Sequence, residues 1–210
     1  MRSCGILMPV FSLPSKYGIG TFGKEAKRFI DFLKQAGQSY WQILPLNPTN
    51  YGDSPYQSFS SFAGNPYFID IEQLIEEKLL TEREADSFDF GSDSESVDYG
   101  KLYENRLKLL RLAFKNFVPT KDYEQFCEEN TYWLDDFALF MALKNANKDI
   151  PWYDWDKSLK MRETTSINKA KAEYHNDIDF YKFVQFKFYE QWFKLKEYAN
   201  DNGISIIGDI

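Results

Sequence analysis

The fold of this chain is decided by the stretch Lys24-Glu-Ala-Lys-Arg-Phe-Ile-Asp-Phe-Leu-Lys-Gln-Ala-Gly-Gln-Ser-Tyr-Trp-Gln-Ile-Leu-Pro-Leu46. Its first part predicts an amphipathic helix from Lys24 to about Ala36, because apolar residues recur at i, i+3, i+4 and i+7 and Gly37 follows as a stop signal. These apolar residues are Ala26, Phe29, Ile30 and Leu33. The second part, Tyr40 to Leu46, is a short apolar run that predicts a buried strand. A helix that leads directly into a buried strand is typical of α/β proteins.

The same order continues on both sides of this stretch. A first strand is predicted at Ser3–Met8, and the order strand, loop, helix, strand predicts a βαβ unit with parallel strands. A long helix is predicted from Ile178 to Ala199, ended by Asn202-Gly203, and it leads into a third buried strand at Ile204–Ile210. The pattern therefore predicts an α/β fold, either a barrel or a doubly wound sheet.

The middle of the chain follows a different pattern. From Ile69 to about Tyr174 the apolar spacing is helical and no strand is evident. An insertion of about 100 residues between consecutive strands is far longer than a usual crossover. We therefore divide the chain into the start of a barrel (1–68), a helical insertion subdomain (69–177) and a return to the barrel (178–210). Because three strands cannot close an eight-stranded barrel, we expect the chain to be the N-terminal part of a longer protein.

Composition argues against several classes of function. The formal net charge is −7, and the 25 Lys and Arg are spread along the chain, which argues against nucleic-acid binding. Cys4 and Cys127 lie far apart, and the single histidine is His175, so the residues offer no zinc site. The apolar runs are too short to span a bilayer, and there is no signal-peptide h-region. We expect a cytoplasmic protein without a metal, a cofactor or a membrane contact.

The loop after the second strand carries the chemistry of a binding site. It reads Asn50-Tyr-Gly-Asp-Ser-Pro-Tyr-Gln-Ser-Phe-Ser-Ser-Phe-Ala-Gly-Asn-Pro-Tyr67. Long loops at the ends of buried strands are where α/β enzymes place their binding groups. Aromatic rings suit the C–H face of a pyranose, and hydroxyls and amides suit its OH groups. The loop therefore indicates a sugar ligand.

Five motifs together resemble the opening of the 4-α-glucanotransferases (amylomaltase or disproportionating enzyme, glycoside hydrolase family 77). The motifs are Ser3-Cys-Gly-Ile-Leu-Met-Pro9, Ser12-Leu-Pro-Ser-Lys-Tyr-Gly-Ile-Gly20, Trp41-Gln-Ile-Leu-Pro-Leu46, Gly52-Asp-Ser-Pro-Tyr-Gln-Ser-Phe-Ser-Ser-Phe-Ala-Gly-Asn-Pro66 and Gly208-Asp-Ile210. The resemblance covers the whole chain, and the Gly52–Pro66 block is its most specific part. It departs from the family at Met8-Pro9-Val10-Phe11, where many relatives carry a His and a Thr. We interpret this departure as subfamily variation.

The resemblance implies the N-terminal part of a (β/α)8 TIM barrel, with its first three strands and a helical inserted subdomain. The implied activity is transfer of α-1,4-glucan segments between maltooligosaccharides by a retaining double displacement, without a cofactor. The implied substrates are maltooligosaccharides and α-1,4-glucans derived from starch or glycogen. Such chemistry needs a nucleophilic carboxylate and a carboxylic acid about 5 Å apart. In the family both come from later strands, so we expect neither in this chain, and both beyond Ile210.

The resemblance also implies roles for loop residues. Ser54 and Tyr56 match positions that line the cleft beside the reacting sugars. Asp53 is either a further binding group or part of a turn in which its carboxylate satisfies backbone N–H groups. Tyr51 matches an aromatic residue of a second glucan-binding groove in some relatives, and Tyr99 is a weaker match to that groove's other aromatic residue.

Two further sets of residues complete the expected site and its surroundings. Asp209 follows the third strand and matches a supporting residue near the point of cleavage, at the end of the strand where barrel enzymes place functional groups. Trp152 and Trp155 are interpreted as anchors of the helical insertion rather than as sugar-stacking residues.

Two alternatives to a transferase remain open. An α-amylase-type glycoside hydrolase shares the retaining mechanism and passes the intermediate to water rather than to a sugar. A non-catalytic glucan-binding fragment would keep the loop chemistry without a catalytic pair. Longer oligosaccharide products indicate transfer, whereas a net gain of reducing ends indicates hydrolysis.

Overall fold

A three-stranded parallel sheet organises the fold. The computed structural model describes residues 2–50, 52–93 and 95–209. Strands β1 (Gly5–Leu7), β2 (Tyr40–Gln42) and β3 (Ser205–Ile207) are hydrogen-bonded in the order β1-β2-β3, and both pairs are parallel. The predicted α/β class and the predicted parallel βαβ unit are therefore confirmed.

Helices fill most of the rest of the described chain. They are α1 (Lys24–Gln35), α2 (Ile71–Glu76), α3 (Glu82–Asp86), α4 (Tyr99–Lys115), α5 (Lys121–Glu129), α6 (Thr131–Ala146), α7 (Lys157–Lys160), α8 (Thr164–Glu173) and α9 (His175–Asp201). The helix predicted from Lys24 to about Ala36 corresponds to α1, and the helix predicted from Ile178 to Ala199 lies within α9. Gly37 and Gly203 have φ of +68° and +75°, the left-handed conformation that ends helices at glycine.

All three strands are shorter than the sequence predicted. Strand β2 was expected to reach Leu46, yet its pairing ends near Ile43, whose N–H donates to Ile207 O at 3.0 Å. Pro45 has no N–H to continue the ladder. The prediction that β3 is buried is wrong for this chain, because Ser205 and Ile207 are exposed. The reason is that β3 lies at the edge of the described sheet and one of its faces is uncovered.

The two faces of the sheet differ in burial. On one face Trp41 is fully buried, its ring lies 5.2 Å from the ring of Phe29 in α1, and its Nε1–H donates to Met8 O at 2.8 Å. On the other face Leu7 is 53% exposed and Ile207 is 44% exposed. Parallel sheets are normally covered on both faces. In the described residues, helices cover only the face that carries Trp41.

The packing divides the chain into two compact units. The first comprises residues 1–118 and 187–210, and the second comprises residues 119–186. The sequence pattern assigned residues 69–118 to the insertion, whereas these residues belong to the sheet-bearing unit. The division at 68/69 and 177/178 stays a prediction.

Aromatic packing and one buried carboxylate hold the first unit together. The ring of Phe22 lies 5.8 Å from that of Phe68 and 5.2 Å from that of Phe188. The buried Asp70 accepts hydrogen bonds from Thr21 Oγ1 at 2.6 Å and from the N–H of Gln73 at 2.9 Å, which caps α2. These contacts bring the segment before α1 and the start of α2 onto the C-terminal part of α9, whose side chains include Phe188.

The second unit has a small apolar core. Its buried members are Leu139, Leu143, Trp155 and Ala170. Partly buried side chains from α6, α7 and α8 pack around these four, among them Phe140, Leu159 and Ile167. The indole Nε1–H of Trp155 donates to Ile150 O at 3.1 Å, so this polar group is satisfied as its ring is buried. The predicted anchoring role of Trp155 agrees with this burial.

Candidate functional site

The carboxyl ends of the three strands meet at one edge of the sheet. The long loop after β2 and the short segment after β3 both begin there, since β2 and β3 pair in parallel with Gln42 opposite Ile207. Parallel α/β proteins bind ligands at this edge because the connecting loops leave the sheet there. The candidate site is therefore the place where these two segments come together.

Two of the predicted site residues make direct contact at this edge. The phenol of Tyr56, from the loop after β2, donates a hydrogen bond to Asp209 Oδ2 at 2.8 Å. The two residues are 153 positions apart in sequence. The contact depends on the pairing of β2 with β3, because this pairing places the loop after β2 beside the segment that follows β3.

The Tyr56 side chain combines a free aromatic face with a fixed hydroxyl. It is 59% exposed, so its ring is open to a ligand. The hydrogen bond to Asp209 raises the pKa of the phenol above its usual value, so the hydroxyl remains a donor at neutral pH. The pair can present a ring for apolar stacking beside a carboxylate that the phenol orients.

Three serine hydroxyls of the loop make hydrogen bonds within the loop itself. Ser54 Oγ accepts from the N–H of Tyr56 at 3.4 Å, and Ser58 Oγ donates to Ser60 O at 2.9 Å. Ser60 Oγ accepts from the N–H of Ala63 at 3.0 Å. These hydroxyls shape turns by replacing backbone hydrogen bonds. The ligand contact expected for Ser54 stays a prediction.

The far end of the loop is held against α9. At Gly64 an added Cβ would lie 2.1 Å from the ring of Phe188, so only glycine permits this approach. The phenol of Tyr189 donates to Phe62 O, and the N–H of Asn65 donates to Leu46 O at 2.8 Å. The two aromatic residues of α9 were not predicted as contacts of the loop, because their partners lie more than a hundred residues away in the chain.

A second cluster forms where the same loop meets α4. Asp53 has φ of +53° and lines a cavity of about 10 Å³ together with Tyr67 and Tyr99. Burial, followed by the neighbouring Asp53 carboxylate, raises the pKa of Tyr67 to about 12 and also raises the pKa of Tyr99. Tyr99 is the first residue of α4 and is half-buried, rather than an exposed loop residue. Tyr51 lies outside the described residues.

Arg106 is a buried residue of the site's surroundings that sequence analysis missed. It is fully buried, and its guanidinium donates to Tyr17 O at 3.0 Å and lies 5.1 Å from the ring centroid of Phe90. Burial lowers its pKa to about 10, so it stays charged at neutral pH. It joins the loop after β1 to α4, and a lone arginine in an amphipathic helix gives no sequence signal of such a contact.

The described part of the chain contains neither a candidate metal cluster nor a membrane-spanning helix. In residues 2–50, 52–93 and 95–209, no three His, Cys, Asp or Glu side chains are close enough together to hold a metal ion. Over the same ranges no helix is both long and apolar enough to cross a bilayer.

Comparison with known proteins agrees with the motifs and the fold. Residues 8–210 match the family described as 4-alpha-glucanotransferase. The chain is 50% identical over 205 residues to the 4-alpha-glucanotransferase of Clostridium butyricum, covering 97% of this chain and 42% of that protein. It is 49% identical over 212 residues to the 4-alpha-glucanotransferase of Aquifex aeolicus, covering 100% and 43%.

A solved structure extends this agreement to three dimensions. The amylomaltase of Streptococcus agalactiae, solved in complex with acarbose, superposes with a TM-score of 0.95 at 43% identity. The match covers 100% of this chain and 43% of that one, so the chain spans less than half the length of the relatives that it matches. On these grounds the chain belongs to the 4-alpha-glucanotransferase family, glycoside hydrolase family 77.

Proposed function

We propose that this chain forms part of a 4-α-glucanotransferase that moves α-1,4-glucan segments from one maltooligosaccharide to another. Its substrates are maltooligosaccharides and longer α-1,4-glucans derived from starch or glycogen, and it works in the cytoplasm without a cofactor. The observation that carries the proposal is the Tyr56–Asp209 hydrogen bond at the carboxyl edge of a parallel sheet, in a chain of this family.

The proposed reaction is a retaining double displacement. Such a reaction uses two carboxyl groups about 5 Å apart, one as nucleophile and one as acid and base. We assign neither role to a residue of this chain. Asp209 is proposed as a supporting residue near the point of cleavage, oriented by the hydrogen bond from Tyr56.

The proposed binding groups fall into two sets. Tyr56 stacks on a glucosyl ring, and Ser54, whose Oγ accepts from the N–H of Tyr56, bonds a hydroxyl of the same sugar. Asp53 is proposed as a further binding group of this loop. Tyr51 and Tyr99 are proposed to contribute to a second glucan-binding groove. The half-buried position of Tyr99 leaves an edge rather than a full face for such a contact.

The proposed architecture is the first three strands of a (β/α)8 barrel with a helical insertion. The open face of the sheet, with Leu7 and Ile207 exposed, supports this proposal, because the inward face of a barrel strand is covered only when further strands are present.

Product analysis of the complete protein with maltotriose tests the activity. We expect glucose together with maltotetraose and longer oligosaccharides, with the total number of reducing ends constant. A net rise in reducing ends would instead assign an α-amylase-type hydrolase. If the complete protein binds maltooligosaccharides without converting them, the transferase proposal fails and a non-catalytic glucan-binding role replaces it.

A further inference from the structure

Trp152 and Trp155, in the segment between α6 and α7 of the second unit, have different environments. Trp155 is 7% exposed, and its ring lies 5.5 Å from that of Phe140 within the small core. Trp152, three positions earlier, is 55% exposed. Both were interpreted as anchors, but burial supports that role for Trp155 only. The exposed indole of Trp152 is therefore not explained by the packing of the unit.

The backbone that carries Trp152 is fixed by several hydrogen bonds. Asp154 N–H donates to Pro151 O at 2.9 Å, and Trp155 N–H donates to Trp152 O at 3.2 Å, which forms a short 3₁₀ turn. Lys160 Nζ donates to Tyr153 O at 2.8 Å and ties this turn to α7. A ring on a fixed backbone loses little conformational entropy when a ligand binds, so Trp152 is suited to recognition.

Trp152 forms one wall of a cavity within the second unit. The cavity has a volume of about 310 Å³, and Phe140 and Trp155 form its aromatic floor. Asp136, Lys160 and Arg162 lie at its rim. A volume of this size falls at the lower end of the range for small-molecule sites, about 300–1,000 Å³. The cavity thus combines aromatic walls with hydrogen-bonding groups at the entrance.

Two of the three charged groups at the rim are paired with each other. Arg162 Nη2 donates to Asp136 Oδ1 at 2.6 Å, so these two opposite charges form an ion pair. Lys160 Nζ donates to Tyr153 O, which is a neutral acceptor, so this contact orients the ammonium group without cancelling its charge. A neutral ligand with many hydroxyls can bond to these groups without separating the Arg162–Asp136 pair.

A second cavity adjoins the first and extends the site. It has a volume of about 270 Å³ and shares Leu143 and Leu159 with the aromatic cavity. Its lining is more polar and includes Asn147, Ser158 and Glu173. Aromatic and polar cavities side by side suit a chain of sugars, whose rings present C–H faces and whose edges present hydroxyls.

We propose that the Trp152 cavity is an accessory binding site for α-1,4-glucan chains, separate from the Tyr56–Asp209 site. This inference rests on the proposed function, because the ligand is taken to be the same polymer on which the enzyme acts. The site holds one part of a long glucan chain and so raises the local concentration of that chain at the protein. Short substrates such as maltotriose gain nothing from it once they occupy the reaction cleft.

The test compares long and short substrates in the complete protein. We expect Trp152→Ala to lower kcat/KM for amylose about 3- to 10-fold relative to kcat/KM for maltotriose, which corresponds to the loss of one aromatic stacking contact. Retardation in gels that contain soluble starch should decrease in parallel. Trp152→Phe keeps a smaller ring and should give an intermediate ratio, which shows that the aromatic face rather than local folding is responsible.

Tyr132→Ala is the matched control, because Tyr132 is a 70% exposed aromatic residue of α6 in the same unit and does not line the cavity. If Trp152→Ala and Tyr132→Ala give the same amylose-to-maltotriose ratio, the accessory site is overturned. A Trp152→Ala protein that changes its oligomeric state but keeps its starch affinity would assign the surface to protein contact and would also overturn the proposal. Failure of the wild-type protein to convert maltotriose refutes the proposed function instead, and starch retardation then tests the cavity independently.

Discussion

At the scale of single residues, the motifs named candidate side chains but did not contain the contacts between them. Tyr56 and Asp209 were both expected at the site, each from its own motif. Their hydrogen bond depends on the register between β2 and β3, which no local pattern contains. The hydroxyl of Ser54 also makes a local contact that its motif did not indicate, because it accepts from the N–H of Tyr56, whereas its expected contact with a sugar stays a prediction. A loop of this composition satisfies its own backbone first.

The Tyr56 side chain is expected to contribute mainly through its ring and secondarily through its hydroxyl. In the complete protein, Tyr56→Ala should lower kcat/KM for maltotriose by about 10- to 100-fold, because both stacking and the orientation of Asp209 are lost. Tyr56→Phe keeps the ring and should lower it by about 3- to 10-fold. Steady-state kinetics at limiting maltotriose measures both effects.

A tyrosine–aspartate pair elsewhere in the same unit provides the control for this prediction. Tyr198 in α9 donates to Asp31 Oδ1 of α1 at 2.7 Å, on the helical layer rather than at the strand ends. Tyr198→Phe removes the same kind of hydrogen bond and should leave kcat/KM near that of the wild type. Equal kinetics for Tyr56→Ala and the wild type would remove Tyr56 from the site.

At the scale of secondary-structure elements, periodicity located the long helices and missed the limits of the strands. Helix α1 was predicted within one residue of its end, since four apolar positions and Gly37 mark it. The strands ended early because their length is set by pairing with neighbours rather than by apolar composition. The short helix α3 was missed, although Thr81 and Glu84 form a capping box that its sequence contains.

The loop after β2 is expected to owe its shape to the contact between Gly64 and α9. Gly64→Ala places a Cβ against the buried ring of Phe188, which also packs on Phe22 and has little room to move. We expect a decrease of about 1–3 kcal/mol in the free energy of unfolding, as for other overpacked sites. Chemical denaturation of the complete protein measures this change.

Gly100→Ala is the matched control for this substitution. Gly100 is an exposed residue of the first turn of α4, and an added Cβ there lies 3.4 Å from Asp98 Oδ1, an ordinary contact. Alanine has a higher helix propensity than glycine, so the free energy of unfolding should not decrease. A Gly64→Ala protein as stable as Gly100→Ala would show that the Phe188 ring adapts, and the loop would then not depend on this contact.

At the scale of the whole molecule, the open face of the sheet is the feature with the largest consequence. Helix α1 covers the face that carries Trp41, whereas the face that carries Leu7, Tyr40 and Ile207 is exposed over the described residues. The sequence predicted parallel strands correctly, but it could not assign a covered face, because burial depends on everything that packs against the sheet. Residues 69–118, which the sequence pattern assigned to the insertion, group with the unit that contains the sheet.

The uncovered face and the unpaired edges predict that residues 1–210, produced as an isolated polypeptide, associate with one another. Leu7 and Ile207 lie in strands β1 and β3 at the two edges of the described sheet and are 53% and 44% exposed, so both edges and an apolar face are open to pairing. Sedimentation velocity at about 10–100 µM should detect oligomers, since exposed edges and apolar surface associate in this range.

The double variant Leu7→Lys and Ile207→Lys should shift the polypeptide toward monomer, because charged side chains block edge pairing. Val118→Lys alters another apolar residue, 75% exposed and outside the sheet, and should change nothing. A monomeric wild-type polypeptide, or an equal response to all these lysine substitutions, would show that the open face does not drive association.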